Sequence, residues 1–106
     1  MDGGGIVIGK NGNPETVWRR KGKIYVSTPG MPEKEIGEGR NCLIETINNK
    51  NIYAWTENGY VIVVKPDGKK INLGKGNLPL VKALNNEQLI CIWENEKQIH
   101  ASVLEL

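Results

Sequence analysis

Apolar runs of four to seven residues, rich in Ile, Val and Tyr, recur along the chain and are separated by Asn, Gly, Asp and Pro. The runs keep a register. Ile6-Val7-Ile8, Cys42-Leu43-Ile44 and Leu80-Val81 each lead toward an Asn-containing pair, and those pairs (Asn11-Gly12, Asn48-Asn49, Asn85-Asn86) fall 37 residues apart. Trp18, Trp55 and Trp93 follow at intervals of 37 and 38 residues, each succeeded by a polar turn and another apolar run. The connector Gly37-Glu38-Gly39-Arg40-Asn41 matches Gly74-Lys75-Gly76-Asn77-Leu78. Independent features in one register define an internal repeat, with units of approximately 1–37, 38–74 and 75–106.

The unit reads as β-structure. No stretch sustains a helical period, and Gly or Pro interrupts every window long enough for a helix. Short β-branched and aromatic runs bounded by turn residues are strand signals. First strands are expected near 5–10, 42–47 and 80–84, and second strands near 15–19, 52–56 and 89–94. Third strands fall near 23–28, 60–65 and 98–104, whereas an outer strand, near 34–37 and 69–73, exists only in the first two units. Asn48-Asn49 and Glu57-Asn58-Gly59 carry the left-handed tolerance that hairpin turns require.

Four antiparallel strands in about 40 residues, repeated, is the pattern of a β-propeller blade. The middle strands are apolar on both faces (Leu43, Ile44, Ile47; Ile52, Ala54, Trp55; Val61 to Val64), as a sheet covered on both sides should be. The Trp of each second strand is expected to pack between blades. The chain is therefore read as all-β, a single domain over 1–106 holding nearly three four-stranded meander blades. Propellers close with roughly four to eight blades, so this is half of a six-bladed ring. A second copy in a homodimer, or the remainder of a longer parent, would complete it. An open arc would expose apolar faces and strand edges, and Lys65, Lys69, Lys70 and Lys75 read as a charged outer edge that discourages strand addition.

Composition narrows the partners. The 106 residues carry 14 Lys and Arg against 12 Asp and Glu, a net charge of +2 without a basic stripe, so nucleic-acid binding has no footprint. No apolar run approaches the roughly 20 residues of a membrane-spanning helix, and Met1-Asp2-Gly3-Gly4-Gly5 lacks the features of a signal peptide. Cys42 and Cys91 lie in apolar runs and read as free, buried thiols. With His100 as the one histidine, no metal cluster or Cys-His pair is indicated, and no cofactor.

The runs Val17-Trp18-Arg19-Arg20-Lys21-Gly22-Lys23-Ile24-Tyr25-Val26, Ile36-Gly37-Glu38-Gly39-Arg40-Asn41, Tyr53-Ala54-Trp55 and Trp93-Glu94-Asn95 resemble the C-terminal blades of bacterial sialidase-like six-bladed propellers. At the place of that family's Asp-box, Lys65-Pro66-Asp67-Gly68-Lys69-Lys70 keeps Asp-Gly without the Ser, Thr and Trp. The resemblance implies a carbohydrate ligand and an exported bacterial setting. A sialidase would also need an arginine cluster, a Tyr–Glu pair and an acidic Asp. Only Arg19, Arg20, Arg40, Asp2 and Asp67 are on offer, and no motif maps them onto catalysis.

A ligand site is expected on the end where the second-to-third-strand turns meet the connectors. Arg40 and Asn41, at the entry to the second unit, would combine there with Asn77, Arg19, Glu57 and Glu94. Arg40 could bind a carboxylate bidentately, and Glu45 on the inner strand could line the channel. The reading favoured is a noncatalytic sialidase-like propeller module that binds a ligand, carbohydrate or protein. The alternatives are part of a sialidase-like glycoside hydrolase and a purely structural, self-assembling fragment.

Overall fold

A computed structural model of the chain describes residues 4–8 and 14–106. Among the described residues there are eleven strands: β1 (Gly4–Ile8), β2 (Pro14–Arg20), β3 (Lys23–Ser27), β4 (Lys34–Glu38), β5 (Arg40–Ile47), β6 (Lys50–Glu57), β7 (Tyr60–Val64), β8 (Lys70–Lys75), β9 (Asn77–Ala83), β10 (Gln88–Asn95) and β11 (Gln98–Glu105). They form three antiparallel sheets in sequence order, β1 to β4, β5 to β8 and β9 to β11. Every expected strand is found; residues 9–10 of the first one, and the Asn11-Gly12 turn, lie outside the described residues.

Turn chemistry sets the hairpins. Asn48 and Asn49 take φ of 50° and 63°, Asn58 and Gly59 take 53° and 83°, and Lys21 and Gly22 take 53° and 79°. Two consecutive left-handed residues give the turn whose twist matches a hairpin. The third sheet makes the same turn with Glu96 and Lys97, at φ of 52° and 64°, where no Gly or Asn relieves the Cβ clash.

The repeat extends to the irregularities. The β3–β4 ladder shifts register between Ile24 and Tyr25, and the β7–β8 ladder between Val61 and Ile62, 37 residues later. The β5–β6 ladder shifts after Arg40, and the β9–β10 ladder between Ile92 and Glu94. These bulges explain where two of the strands begin. β5 begins at Arg40 and β9 at Asn77, earlier than the apolar runs imply, because one pair on the far side of each bulge (Arg40 with Thr56, Asn77 with Glu94) extends the strand. Pro79 sits within that β9 bulge, where its missing N–H breaks no ladder bond.

Strand alternation sorts the side chains into faces, and like faces meet in the same way twice. Val17 and Ile24 of the first sheet pack with Cys42, Trp55 and Ile62 of the second. Ile52, Ala54, Val61 and Val63 on the opposite face of the second sheet pack with Val81, Leu89, Cys91 and Trp93 of the third. Trp55 is 0% exposed and Trp93 8%, each wedged between two sheets as the repeat predicted, while Trp18 is only half-buried and stacks on Tyr25 at 5.9 Å. Both cysteines are buried and free; burial pushes the Cys42 thiol up and the Cys91 thiol up to about 11.

Each wedged indole needs a glycine opposite it. A Cβ on Gly39, whose φ is 144°, would collide with the Thr56 carbonyl oxygen and Trp55, and one on Gly76 with the Trp93 ring. Gly39 N donates to Gly22 O and Gly76 N to Gly59 O, both at 2.9 Å, tying each connector to the hairpin turn it passes.

Two outcomes are expected. Gly39→Ala costs about 3 kcal/mol or more, since the contact is with backbone and a buried ring in a region L-residues avoid; chemical denaturation reads the loss. Lys97→Gly, which gives the third hairpin the glycine present at positions 22 and 59, stabilises by about 0.5–1 kcal/mol and raises Tm.

Candidate functional site

Both bulged connectors, Glu38-Gly39-Arg40 and the segment that ends at Asn77, lie at the end of the sheets that also carries the β2–β3 and β6–β7 turns. A cavity of about 440 Å³ opens there, lined by Arg19, Glu38, Arg40, Thr56, Glu57 and Asn77 together with Asn58 and the glycines Gly22, Gly39 and Gly59. The glycines keep its walls low.

Each side chain arrives by a legible route. Arg19 projects from the face of β2 that carries Val17, toward the second sheet, and its Nε donates to Gly39 O at 2.7 Å. That bond clamps the connector. Glu57 extends from β6 beside Trp55, whose Nε1 donates to Glu57 Oε1 at 3.1 Å. Thr56, cross-strand from Arg40, is 3% exposed, and its hydroxyl has no hydrogen-bond partner among the described residues. Arg40 is exposed, and its side chain makes no ion pair or hydrogen bond among the described residues.

Four of the six residues expected from the sequence, Arg19, Arg40, Glu57 and Asn77, line one cavity. Asn41 and Glu94 do not. Asn41 sits on the β5 bulge at φ of 58°, a backbone task for which Asn is suited. A strict 37-residue period matches Glu94 to Glu57, but the ladder registers place Asn95 opposite Gln98 where Glu57 stands opposite Tyr60. Glu94 therefore corresponds to Thr56 and Arg19, and strand alternation turns it away from Trp93. Glu45 faces the third sheet, with Lys82 Nζ at 3.9 Å. Thr56 and Glu38 were not anticipated. Aligning position 56 with Arg19 in the repeat would have pointed to the first.

The opposite end is polar in another way. Glu15 of β2 accepts hydrogen bonds from Asn51, from the Tyr53 hydroxyl at 3.1 Å and from the Thr28 hydroxyl at 3.4 Å, joining the first two sheets. Burial, then the Glu15 charge, pushes the Tyr53 phenol up to about 12. A phenol held protonated this firmly is a hydrogen-bond donor and a poor nucleophile. Asp67 lies at this end too, in the β7–β8 turn, where Oδ1 accepts from Lys69 N at 2.8 Å and shapes the turn. Among the described residues no three His, Cys, Asp or Glu side chains are grouped to hold a metal ion.

The raised phenol has a consequence for alkaline stability. Its folded pKa, about 12, exceeds the unfolded value near 10, so its contribution is complete below about pH 10 and is lost as pH rises toward 12. Absorbance titration at the tyrosinate band is expected to show a late phase near 12 that Tyr53→Phe removes. No protein-family model, curated protein or solved structure matches the chain.

Proposed function

We propose that the chain is a noncatalytic β-propeller module whose ligand, an acidic carbohydrate, binds in the connector-end cavity. Three observations support the propeller. The sheets are consecutive meanders, their first strands β1, β5 and β9 lie side by side, and the same Trp-faced contact joins each to the next. The molecule measures 41 × 34 × 19 Å. Its thin dimension is about one strand of six residues at roughly 3.3 Å each, the proportion of sheets standing side by side around an axis.

Arg40 carries the ligand reading. An exposed guanidinium without a partner among the described residues, at the mouth of a cavity whose other polar groups are partly engaged, is a preformed fork for a carboxylate. Around it, Glu38, Glu57, Asn58, Asn77 and the buried Thr56 hydroxyl offer mixed donors and acceptors, the composition that sugar hydroxyls require. The resemblance to sialidase-like propellers agrees on ligand class. Catalysis finds less support, because Asp67 serves a turn at the far end and the Tyr53 phenol stays protonated.

A glycan array followed by calorimetry tests this. Uronate- or sialate-bearing oligosaccharides are expected to bind and neutral analogues to bind more weakly. Losing the charged pair in Arg40→Ala should weaken binding by about tenfold or more. Equal binding by the native protein and Arg40→Ala would remove the site.

A further inference from the structure

Within the chain, one kind of seam occurs twice. A sheet presents the residue before its Trp, and the residue six after it, to the Trp-bearing face of the sheet that follows. Val17 and Ile24 do this toward Trp55, and Ala54 and Val61 toward Trp93, and all six are buried. The registers name the next members of both series. On the third sheet they are Ile92 and Ile99; on the first, the Trp-bearing face holds Trp18 and Tyr25. Those faces stand open. Ile99 is 71% exposed and Val103, on the same face, 52%, while Ile6, which shares the Trp18 face, is 62% exposed.

From this continuity we infer that the two open faces are mates, and that a second copy of the chain covers both. The third sheet of each copy packs on the first sheet of the other, giving a closed pair with two identical new seams. Each open face has the partner it lacks at the other end of the same chain, so no foreign protein is required. Charge agrees. At the internal seam the cavity end sets Arg19 of one sheet against Glu57 of the next. The corresponding positions at the new seam are Glu94 and Arg20, opposite in sign again. Arg20 lies over Tyr25, its Cζ 4.5 Å from the ring centroid, and within the chain it pairs with Glu33. Heterologous faces on one chain give either a ring or an open filament. Closure at six sheets falls within the range of propeller rings, so that element rests on the propeller reading. The face pairing itself does not depend on the cavity or its ligand, and Arg40→Ala leaves it untouched.

Light scattering coupled to size-exclusion is expected to give twice the 11.8 kDa chain mass. Ile99→Asp should yield a folded monomer, since Ile99 projects into open space within one chain. Val103→Asp serves as the second variant, with circular dichroism confirming that either folds. Quenching of tryptophan fluorescence by iodide supplies the readout of arrangement. Trp18, on the first sheet, should be shielded in the native pair and become quenchable in Ile99→Asp, although that substitution lies on the third sheet. A native monomer, an open-ended polymer, or a pair that survives both substitutions would overturn the proposal. So would dissociation that leaves Trp18 quenching unchanged, because a pair joined third sheet to third sheet behaves that way.

Discussion

Two indole rings, each seated against a connector that has no side chain to obstruct it, hold the three sheets together. A three- or four-stranded meander cannot bury both of its faces alone, and by itself it would be marginal in water. Trp55 and Trp93 supply the largest buried surfaces at the two seams. At about 25 cal/mol per Å² and roughly 200 Å² of ring, each contributes on the order of 5 kcal/mol before ordering costs. The ring fits only because positions 39 and 76 are glycine. The same glycines donate to the preceding hairpin turns, so the path of each connector is fixed by the packing beside it.

The polar end of the molecule follows from that constraint. A connector pulled tight over an indole leaves the strand it enters out of register with its neighbour, and the bulge at Arg40 absorbs the difference. Bulges turn side chains away from the regular pleat. Here the result is that Arg40 stands at the rim of the cavity while Thr56, its cross-strand partner, stays buried with a hydroxyl that has no partner among the described residues. Arg19 clamps the connector through Gly39 O and so fixes the wall without being spent on the rim itself. At the other end of the same seam Glu15, Asn51, Tyr53 and Thr28 form a hydrogen-bonded polar cluster whose effect is cohesion. The two ends of the seam thus differ in kind: at one the polar side chains are bonded to one another across the sheets, and at the other Arg40 faces the cavity.

Much of this was legible because the sequence states the same information three times. Trp spacing, turn pairs and connector glycines fixed every strand to within a few residues, and the glycine at 39 could be matched to that at 76 without coordinates. The site was legible only in part. Arg40, Asn77, Arg19 and Glu57 converge because the repeat places connector and turn at one end. Glu94 misled because the third unit holds Trp93 one residue later than a strict 37-residue period, and in a strand one residue is a change of face. Thr56 gave no sign, since a hydroxyl in a β-branched run reads as strand filler until its burial is known. The cross-sheet bonds to Glu15 were equally hidden, because they join residues 36 and 38 apart in sequence.

Treatment of edges and faces differs in a way that bears on assembly. An exposed strand edge is a hazard, and this chain blunts its outer ones: β4 opens with exposed Lys34 and Glu35, and β8 carries Lys70 and Lys75. Its end faces receive no such protection. Ile6 on the first sheet and Ile99 on the third correspond to Ile44 and Val61, which pack at the internal seams, and both are exposed, as are Ile8 and Val103 beside them. Charged edges beside uncapped faces are what a chain needs if it adds sheets face to face and never strand to strand.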